Sequence, residues 1–162
     1  MRPYFALIAV VWLLSDFAAA EESNLSVALV GLEGQRYTLT IPELDALPRV
    51  KISANEHGAP HAFEGALLGD VLAKVGAPAG KAIHDLELTD VVIVEGRDGY
   101  KVALDLAGTD AAMRTDRVIL ADRMDGSSLS ADKGPFQLIV EGDLGPARAV
   151  RMVSAIRLER VR

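Results

Sequence analysis

Alternating apolar and polar positions divide much of the chain into short segments that indicate strands. Residues 25–31 (LSVALVG) and 36–41 (RYTLTI) flank a turn supplied by Gly34, which predicts a hairpin. A clearer hairpin signal comes from residues 90–96 (DVVIVEG) and 100–106 (YKVALDL), which flank the turn sequence RDG. Four more strands are predicted from RVKIS, RVILAD, FQLIVEG and VSAIRLERV, at residues 49–53, 117–122, 136–142 and 153–161.

Two segments carry the signals of helices. Thr40 followed by Glu43, with Pro42 between them, predicts a capping-box start to a short helix that ends before Pro48. Residues 66–76 (ALLGDVLAKVG) have apolar side chains at helical spacing and end in a glycine, which is typical of a helix C-terminus. The sequence therefore predicts two short helices among many strands.

The remaining segments decide the fold class. Residues 107–113 form a weak helical patch, and residues 55–65 (NEHGAPHAFEG) are predicted to be a loop. Strands outnumber helices and pair mostly with their sequence neighbours. This favours an α+β domain with mixed β-sheets over a doubly wound parallel sheet.

The first 20 residues have the pattern of a secretory signal. Arg2 precedes an apolar run from Tyr4 to Leu14, and small residues end in an A-x-A cleavage site at Ala20. The run is shorter than the roughly 20 residues that a membrane-spanning helix needs. We therefore expect cleavage after Ala20, a single domain over residues 21–162 in the periplasm, and no membrane span after cleavage. An uncleaved N-terminal anchor is the alternative.

Composition narrows the possible partners and chemistries. The chain of 162 residues has a net charge of −6 and no clustered basic patch, which argues against nucleic acid as a partner. It contains no cysteine, so its stability does not depend on disulfides, and no thiolate can act as a nucleophile or metal ligand. We find no linker, low-complexity tract or repeat, and the length suits one domain.

Several familiar motifs are absent or broken. His57 and His61 have the four-residue spacing of zinc ligands on a helix, but Gly58 and Pro60 between them exclude a helix. We therefore expect both histidines, and the isolated His84, at the surface. The serines lack a G-x-S-x-G context, and the glycine-rich segments lack the lysine of a phosphate-binding loop.

Four phrases in order resemble a known family. They are FEGALLGDVLAKVGAP, VVIVEGRDGYKVALDL, VILADRMDGSSLSADKGPFQLIVEGD and ARAVRMVSAIRL. Together they are similar to the molybdopterin-binding domain of the sulfite oxidase family, in particular its small exported single-domain relatives, over about residues 26–160. The resemblance implies an α+β domain that wraps a pterin, with loops after several strands converging on it.

The chain departs from this family at one position. Catalytic members carry a molybdenum-binding cysteine just after the third strand, where this sequence reads VKISANEHG, with Ala54 or a neighbour in that place. A methyl group cannot replace the soft thiolate donor. The resemblance therefore implies that the cofactor is a pterin without molybdenum, as either a free reduced pterin or molybdopterin.

The resemblance also implies which residues bind the ligand. A carboxylate or amide suits the amino-pyrimidinone edge of a pterin, and a guanidinium or aromatic ring suits its faces or a phosphate. Asn55 stands out because a polar side chain at the former metal position has reason to face the pocket. The ligand-binding residues implied are Asn55, Glu56, Tyr100, Asp122, Arg123, Met124, Arg148 and Arg151.

Most of these residues also have a simpler structural interpretation. Arg148 and Arg151 suit a solvated helical face, and Asp122 suits hydrogen bonding to the backbone of a turn. Tyr100 suits packing through its ring, and Met124 suits gap-filling.

Two functions follow from the resemblance. The first is a non-catalytic periplasmic module that binds a pterin and signals to a membrane-bound partner, like pterin-binding regulators of this fold that act on the periplasmic part of a cyclic-dinucleotide signalling receptor. The second is a molybdopterin-dependent oxidoreductase subunit that holds the metal through dithiolene sulfurs alone. We favour the first, because losing the indispensable ligand is readily explained if metal chemistry is not the task. An interaction domain with an empty pocket is a third possibility.

Overall fold

Ten strands and two short α-helices form the fold in residues 25–161, the part of the chain that the computed structural model describes. The predicted signal segment, residues 1–20, lies outside the described residues. The helices are α1 (Ile41–Asp45) and α2 (Leu68–Ala73). The strands are β1 (Ser26–Val30), β2 (Arg36–Thr40), β3 (Arg49–Glu56), β4 (Ala59–Leu67), β5 (Asp90–Gly96), β6 (Lys101–Asp105), β7 (Val118–Met124), β8 (Ser127–Ser128), β9 (Gln137–Val140) and β10 (Val153–Arg160).

The strands form two five-stranded sheets. The first has the order β2-β1-β10-β5-β6, in which β1 runs parallel to β10 and the other pairs are antiparallel. The second has the order β3-β4-β7-β8, and β9 also pairs with β7. The predicted hairpins β1–β2 and β5–β6 are both present, with Gly34 and Gly99 in the left-handed conformation at their turns. The expectation of an α+β domain with mixed sheets is confirmed.

The second sheet is buried on both faces. Its neighbouring residues Ile119 and Leu120 point to opposite faces of β7 and belong to two different hydrophobic clusters. Leu120 packs in the main core together with residues of the first sheet, such as Leu29 and Ile156. Ile119 packs with Phe63 and others in a smaller cluster on the far face. This far face carries the candidate site described below.

The capping box at α1 forms as predicted. The backbone N–H and the hydroxyl of Thr40 both donate to the Glu43 carboxylate at 2.8 Å, and the Tyr37 hydroxyl donates to it at 2.6 Å. Helix α2 begins at Leu68, two residues later than predicted. Residues 66 and 67 instead pair with β7 and belong to β4.

The expected loop at residues 55–65 is wrong, because β3 and β4 form a long hairpin there. Its tip is made by His57 and Gly58, whose φ angles are 51° and 83°. Pro60 is tolerated in β4 because β7 pairs with this strand only from Phe63 onward, so the proline has a neighbouring strand on one side only. The alternation of small and polar residues is too weak to reveal this hairpin.

The remaining helical structure is short. The weak helical patch at residues 107–113 contains a single 3-10 turn, Ala107–Thr109. Three similar turns lie at Gly80–Ala82, Asp85–Thr89 and Pro146–Arg148. Among residues 25–161, no helix has the length and apolar character needed to cross a membrane.

A substitution at Gly65 tests the close packing of β4 against β7 in the second sheet. It lies at a bulge between β4 and β7, where an added Cβ would overlap the carbonyl oxygen of Leu120. We expect Gly65→Ala to lower the free energy of unfolding by about 3 kcal/mol, because backbone atoms cannot move aside cheaply. Gly69→Ala in α2 is the matched control. Its Cβ would make only an ordinary van der Waals contact, 3.9 Å from the carbonyl oxygen of Thr109, so stability should be unchanged or slightly raised. Urea denaturation measures both, and equal stabilities for the two variants would contradict this packing.

Candidate ligand-binding site

A narrow cleft lies on the far face of the second sheet, where residues 143–149 pack over it. We call these residues the covering loop. The cleft is partly open to solvent, and the space within it admits little more than a water molecule. Strands β3, β4 and β9 provide its floor, and the covering loop provides the opposite side. The lining residues are Ala54, Asn55, Glu56, Phe63, Gln137, Ile139, Val140, Asp143, Gly145, Pro146 and Ala149.

Glu56 is the centre of the polar groups at this cleft. Its side chain is only 4% exposed, and its two carboxylate oxygens accept from different cations. Lys133 donates through Nζ to Oε2 at 2.6 Å, and Arg151 donates to Oε1 at 3.1 Å. Arg151 also contacts Nε2 of His57 at 3.2 Å. One buried carboxylate is therefore shared by two basic side chains.

The cations keep Glu56 ionised despite its burial. Loss of solvation by itself raises the pKa of Glu56. The hydrogen bond and charge of Lys133, the charge of Arg151 and a hydrogen bond from Gln137 act in the opposite direction and together prevail. The pKa of Glu56 therefore lies below its ordinary value, and the carboxylate is charged at neutral pH.

Gln137 leaves a buried polar atom without a partner. Its side chain is 1% exposed and lines the cleft from β9. Within the described residues, its Oε1 is the one buried side-chain oxygen or nitrogen that has no hydrogen bond. Such an atom is costly inside a protein, because water was removed from it and nothing replaced the lost hydrogen bond. We refer to Glu56, Lys133, Gln137 and Arg151 as the polar cluster.

Three of the residues implied by the resemblance meet at this cluster. Glu56 and Arg151 are joined by a salt bridge. The sulfur of Met124 lies 3.7 Å from Nζ of Lys133, and the Met124 side chain packs against the hydrophobic cluster on the same face. Met124 therefore fills space beside the polar cluster, and the sequence-based grouping of these three residues agrees with their positions.

Three further implied residues lie around the cleft. Arg148 pairs with Asp143, so both ends of the covering loop are joined by a salt bridge. The Tyr100 hydroxyl donates to the carbonyl oxygen of Ala147 in the same loop at 2.7 Å. Asn55 borders the cleft, but its side chain is exposed, and strand alternation directs it away from the face that carries Glu56.

Asp122 and Arg123 have a different setting. Both lie in β7, which extends to Met124 beyond the predicted strand end at residue 122, and neither lines the cleft. Asp122 is buried and accepts from Arg49 at 2.5 Å, while Arg123 lies within 4.0 Å of Asp45. These four residues form an ionic group near α1, and a ligand-binding role for Asp122 and Arg123 stays a prediction.

Comparison with known proteins agrees with this architecture. Residues 15–161 match the model of a family described as the oxidoreductase molybdopterin binding domain. The chain belongs to this family. Among solved structures, it is similar to the sulfane dehydrogenase SoxCD from Paracoccus pantotrophus, with a TM-score of 0.64 and 18% sequence identity. This similarity covers 85% of the present chain and 39% of the SoxCD chain, and at this identity it shows the fold alone. No curated protein matches the sequence.

The residues of this molybdopterin-binding family member fit a pterin better than a metal. The chain has no cysteine, and Ala54 presents a methyl group to the cleft. Across residues 25–161, no three His, Asp or Glu side chains are grouped closely enough to hold a metal ion. The Glu56 carboxylate, the one acidic group within the polar cluster, is already paired with the side chains of Lys133 and Arg151. In contrast, the amide and carboxylate groups that border the cleft, among them those of Asn55 and Gln137, suit a polar heterocycle.

One of the three histidines is not simply at the surface. His61 is half-buried and contacts Asp125 through Nδ1 at 2.7 Å. That hydrogen bond is the largest cause of the lowered pKa of Asp125. His57 and His84 are exposed as predicted.

Sequence reasoning missed Lys133 and Gln137. Lys133 lies in a polar segment before the Gly134–Pro135 step, and nothing local marks it as a partner of Glu56. Gln137 did leave a signal, since it is the single polar residue in the apolar run FQLIV. A glutamine in a fully buried strand needs hydrogen-bond partners, so its position already suggested a polar site.

Glu56→Gln should destabilise the protein in a pH-dependent way. At pH 7 we expect a loss of about 3 kcal/mol, because two partly buried cations lose their counter-charge. The lowered pKa of Glu56 means that its stabilisation is present above the unfolded value of about 4.3 and is lost as the pH falls through the lower folded value.

Urea unfolding of wild-type and Glu56→Gln protein between pH 7 and pH 3 measures this difference. The stability gap should narrow as the pH falls below about 4. The exposed Glu33→Gln is the control and should show little effect at any pH. A gap of constant size over this range would show that the carboxylate charge is not what stabilises the cluster.

Proposed function

We propose that this domain is a non-catalytic periplasmic module that binds a pterin and signals to, or associates with, a membrane-bound partner. One observation carries the proposal: a member of the molybdopterin-binding family keeps a polar cleft but has no cysteine anywhere in its sequence. A soft thiolate donor is what this kind of metal centre takes from the protein. The remaining groups support ligand binding without it.

The chemistry of the cleft supports a pterin as the ligand. Phe63 and Ile139 border the cleft from the sheet, and Pro146 borders it from the covering loop. A flat ring that enters by displacing this loop would therefore meet apolar groups on both of its faces. Of the polar cluster, Glu56 and Gln137 line the cleft, and Gln137 carries a buried acceptor that has no partner in the described residues. A free reduced pterin and a molybdopterin share this ring, and both are candidates.

The covering loop connects the cleft with the outer surface, where a partner would bind. Asp143 and Gly145 line the cleft, and Leu144 between them is 97% exposed. A ligand that shifts this loop would therefore change an apolar side chain on the outer surface. This fits a module that reports occupancy to the periplasmic part of a membrane receptor, with export directed by the signal pattern at residues 1–20.

Native mass spectrometry with elemental analysis tests the central claim. The domain would be exported in a host that makes both pterins and molybdenum cofactor. We expect one bound pterin per chain and no stoichiometric molybdenum. Stoichiometric molybdenum would instead support an oxidoreductase subunit that lacks the cysteine ligand. A chain with no bound small molecule, and no affinity for added pterin, would favour an interaction domain.

Arg148→Ala tests the covering loop. The arginine pairs with Asp143, which lines the cleft, so its loss should free that side of the cleft and weaken pterin binding by roughly threefold to tenfold. Arg148 is exposed, so the melting temperature should change little. Arg36→Ala, an exposed arginine in the first sheet, is the control. Titration of pterin fluorescence gives the affinities, and equal values for both variants would contradict a role for this loop.

A further inference from the structure

The cleft of the free protein is too small for the ligand that its residues suit. The space between the second sheet and the covering loop admits little more than a water molecule. A pterin is a flat two-ring heterocycle, which is many times larger than water. One wall of the cleft therefore has to move before such a ring can enter.

The covering loop is the wall that can move. On the opposite wall, β3 pairs with β4, and β9 pairs with β7, so these strands are hydrogen-bonded into the second sheet. Within residues 25–161, the covering loop pairs with no strand, and its regular structure is the 3-10 turn Pro146–Arg148. An added Cβ at Gly145, directly before that turn, would meet no atom within 4 Å. Displacing the loop therefore breaks fewer hydrogen bonds than displacing a strand.

The chain is anchored on both sides of the loop. Before it, the backbone N–H of Glu141 donates to the carbonyl oxygen of Arg117 at 2.8 Å. After it, Val150 is fully buried, and its carbonyl oxygen accepts from the N–H of Leu138 at 2.8 Å. Gly142, between the first anchor and the loop, has a φ of 83°. Movement is therefore confined to residues 142–149.

The polar contacts of the loop are of two kinds. The salt bridge between Arg148 and Asp143 lies inside the loop, so it persists when the loop moves as a unit. The Tyr100 hydroxyl instead donates to the carbonyl oxygen of Ala147 at 2.7 Å, from the turn between β5 and β6 of the first sheet. This hydrogen bond joins two separate segments, so it breaks when the loop lifts away from the cleft.

From these contacts we infer that the covering loop is a closed lid over the ligand site and that Tyr100 is its latch. The hydrogen bond to Ala147 favours the closed arrangement, and the ligand binds the open one. The measured affinity is then the intrinsic affinity multiplied by the fraction of open molecules. This inference rests on the proposed function for the identity of the ligand, and it goes further by assigning what controls ligand entry. Tyr100 opposes binding, whereas a ligand contact would favour it.

Tyr100→Phe tests the latch, because it removes the hydroxyl and keeps the ring. Titration with 6-hydroxymethylpterin, followed by pterin fluorescence, should show an affinity about threefold to tenfold higher than that of wild-type protein. Tyr37→Phe is the matched control, since it removes a hydroxyl that donates to Glu43 at α1, and it should leave the affinity unchanged. Weaker binding in Tyr100→Phe would show a ligand contact instead of a latch, and equal binding would also overturn the inference.

Trypsin cleavage without ligand gives a second readout. Arg148 is the basic residue within residues 143–149, and cleavage after it reports how often the loop opens. Tyr100→Phe should be cut there about threefold to tenfold faster than wild-type protein, and Tyr37→Phe should be cut at the wild-type rate. Mass spectrometry of the fragments identifies the cleaved bond. Equal rates in all three proteins would overturn the latch whether or not pterin binds.

Failure of the latch and failure of the proposed function are distinguishable. If wild-type protein binds no pterin, the proposed function fails, and the trypsin rates decide whether Tyr100 holds the loop closed. If wild-type protein binds pterin but Tyr100→Phe binds it no more tightly, only the latch is overturned.

Discussion

The buried carboxylate of Glu56 is the constraint on which this end of the molecule depends. A charge removed from water must be compensated, and its partners here come from distant parts of the chain. Lys133 lies 77 residues away in sequence and Arg151 lies 95 residues away. The carboxylate therefore holds the tip of the β3–β4 hairpin, the segment before β9 and the segment before β10 in one place. Glu56 itself lines the cleft, so the position of this part of its wall depends on that compensation.

The same arrangement explains how a domain of a molybdopterin-binding family can keep its cleft without a thiolate. In this chain a methyl group stands at Ala54, and a carboxylate that could serve as a hard ligand is already bound by two basic side chains. The buried charge of Glu56 is compensated by basic side chains of the protein, so no metal ion is needed to compensate it. What the cleft still lacks is a donor for Gln137, and this is the requirement that a heterocyclic ligand can meet.

Local patterns in the sequence predicted the local features of the fold. The hairpin at residues 90–106 and the capping box of Thr40 and Glu43 depend on neighbouring residues, and both are present. The hairpin at residues 55–65 was missed because small and polar residues give no clear alternation. Lys133 was missed for a different reason, since its role is defined only by a contact across 77 residues. Family resemblance pointed to Glu56 and Arg151 separately, and the structure shows that they form a salt bridge.

The unpaired oxygen of Gln137 makes the free protein less stable than a version with an apolar residue at this position would be. An apolar residue in place of Gln137 would remove an unpaired buried acceptor. Sites built for binding commonly retain such costs because the ligand relieves them. A ligand that completes these hydrogen bonds stabilises the bound arrangement of the strands and of the covering loop together. Leu144 projects from that loop into solvent, so under the proposed function a ligand that moves the loop would also change the outer surface.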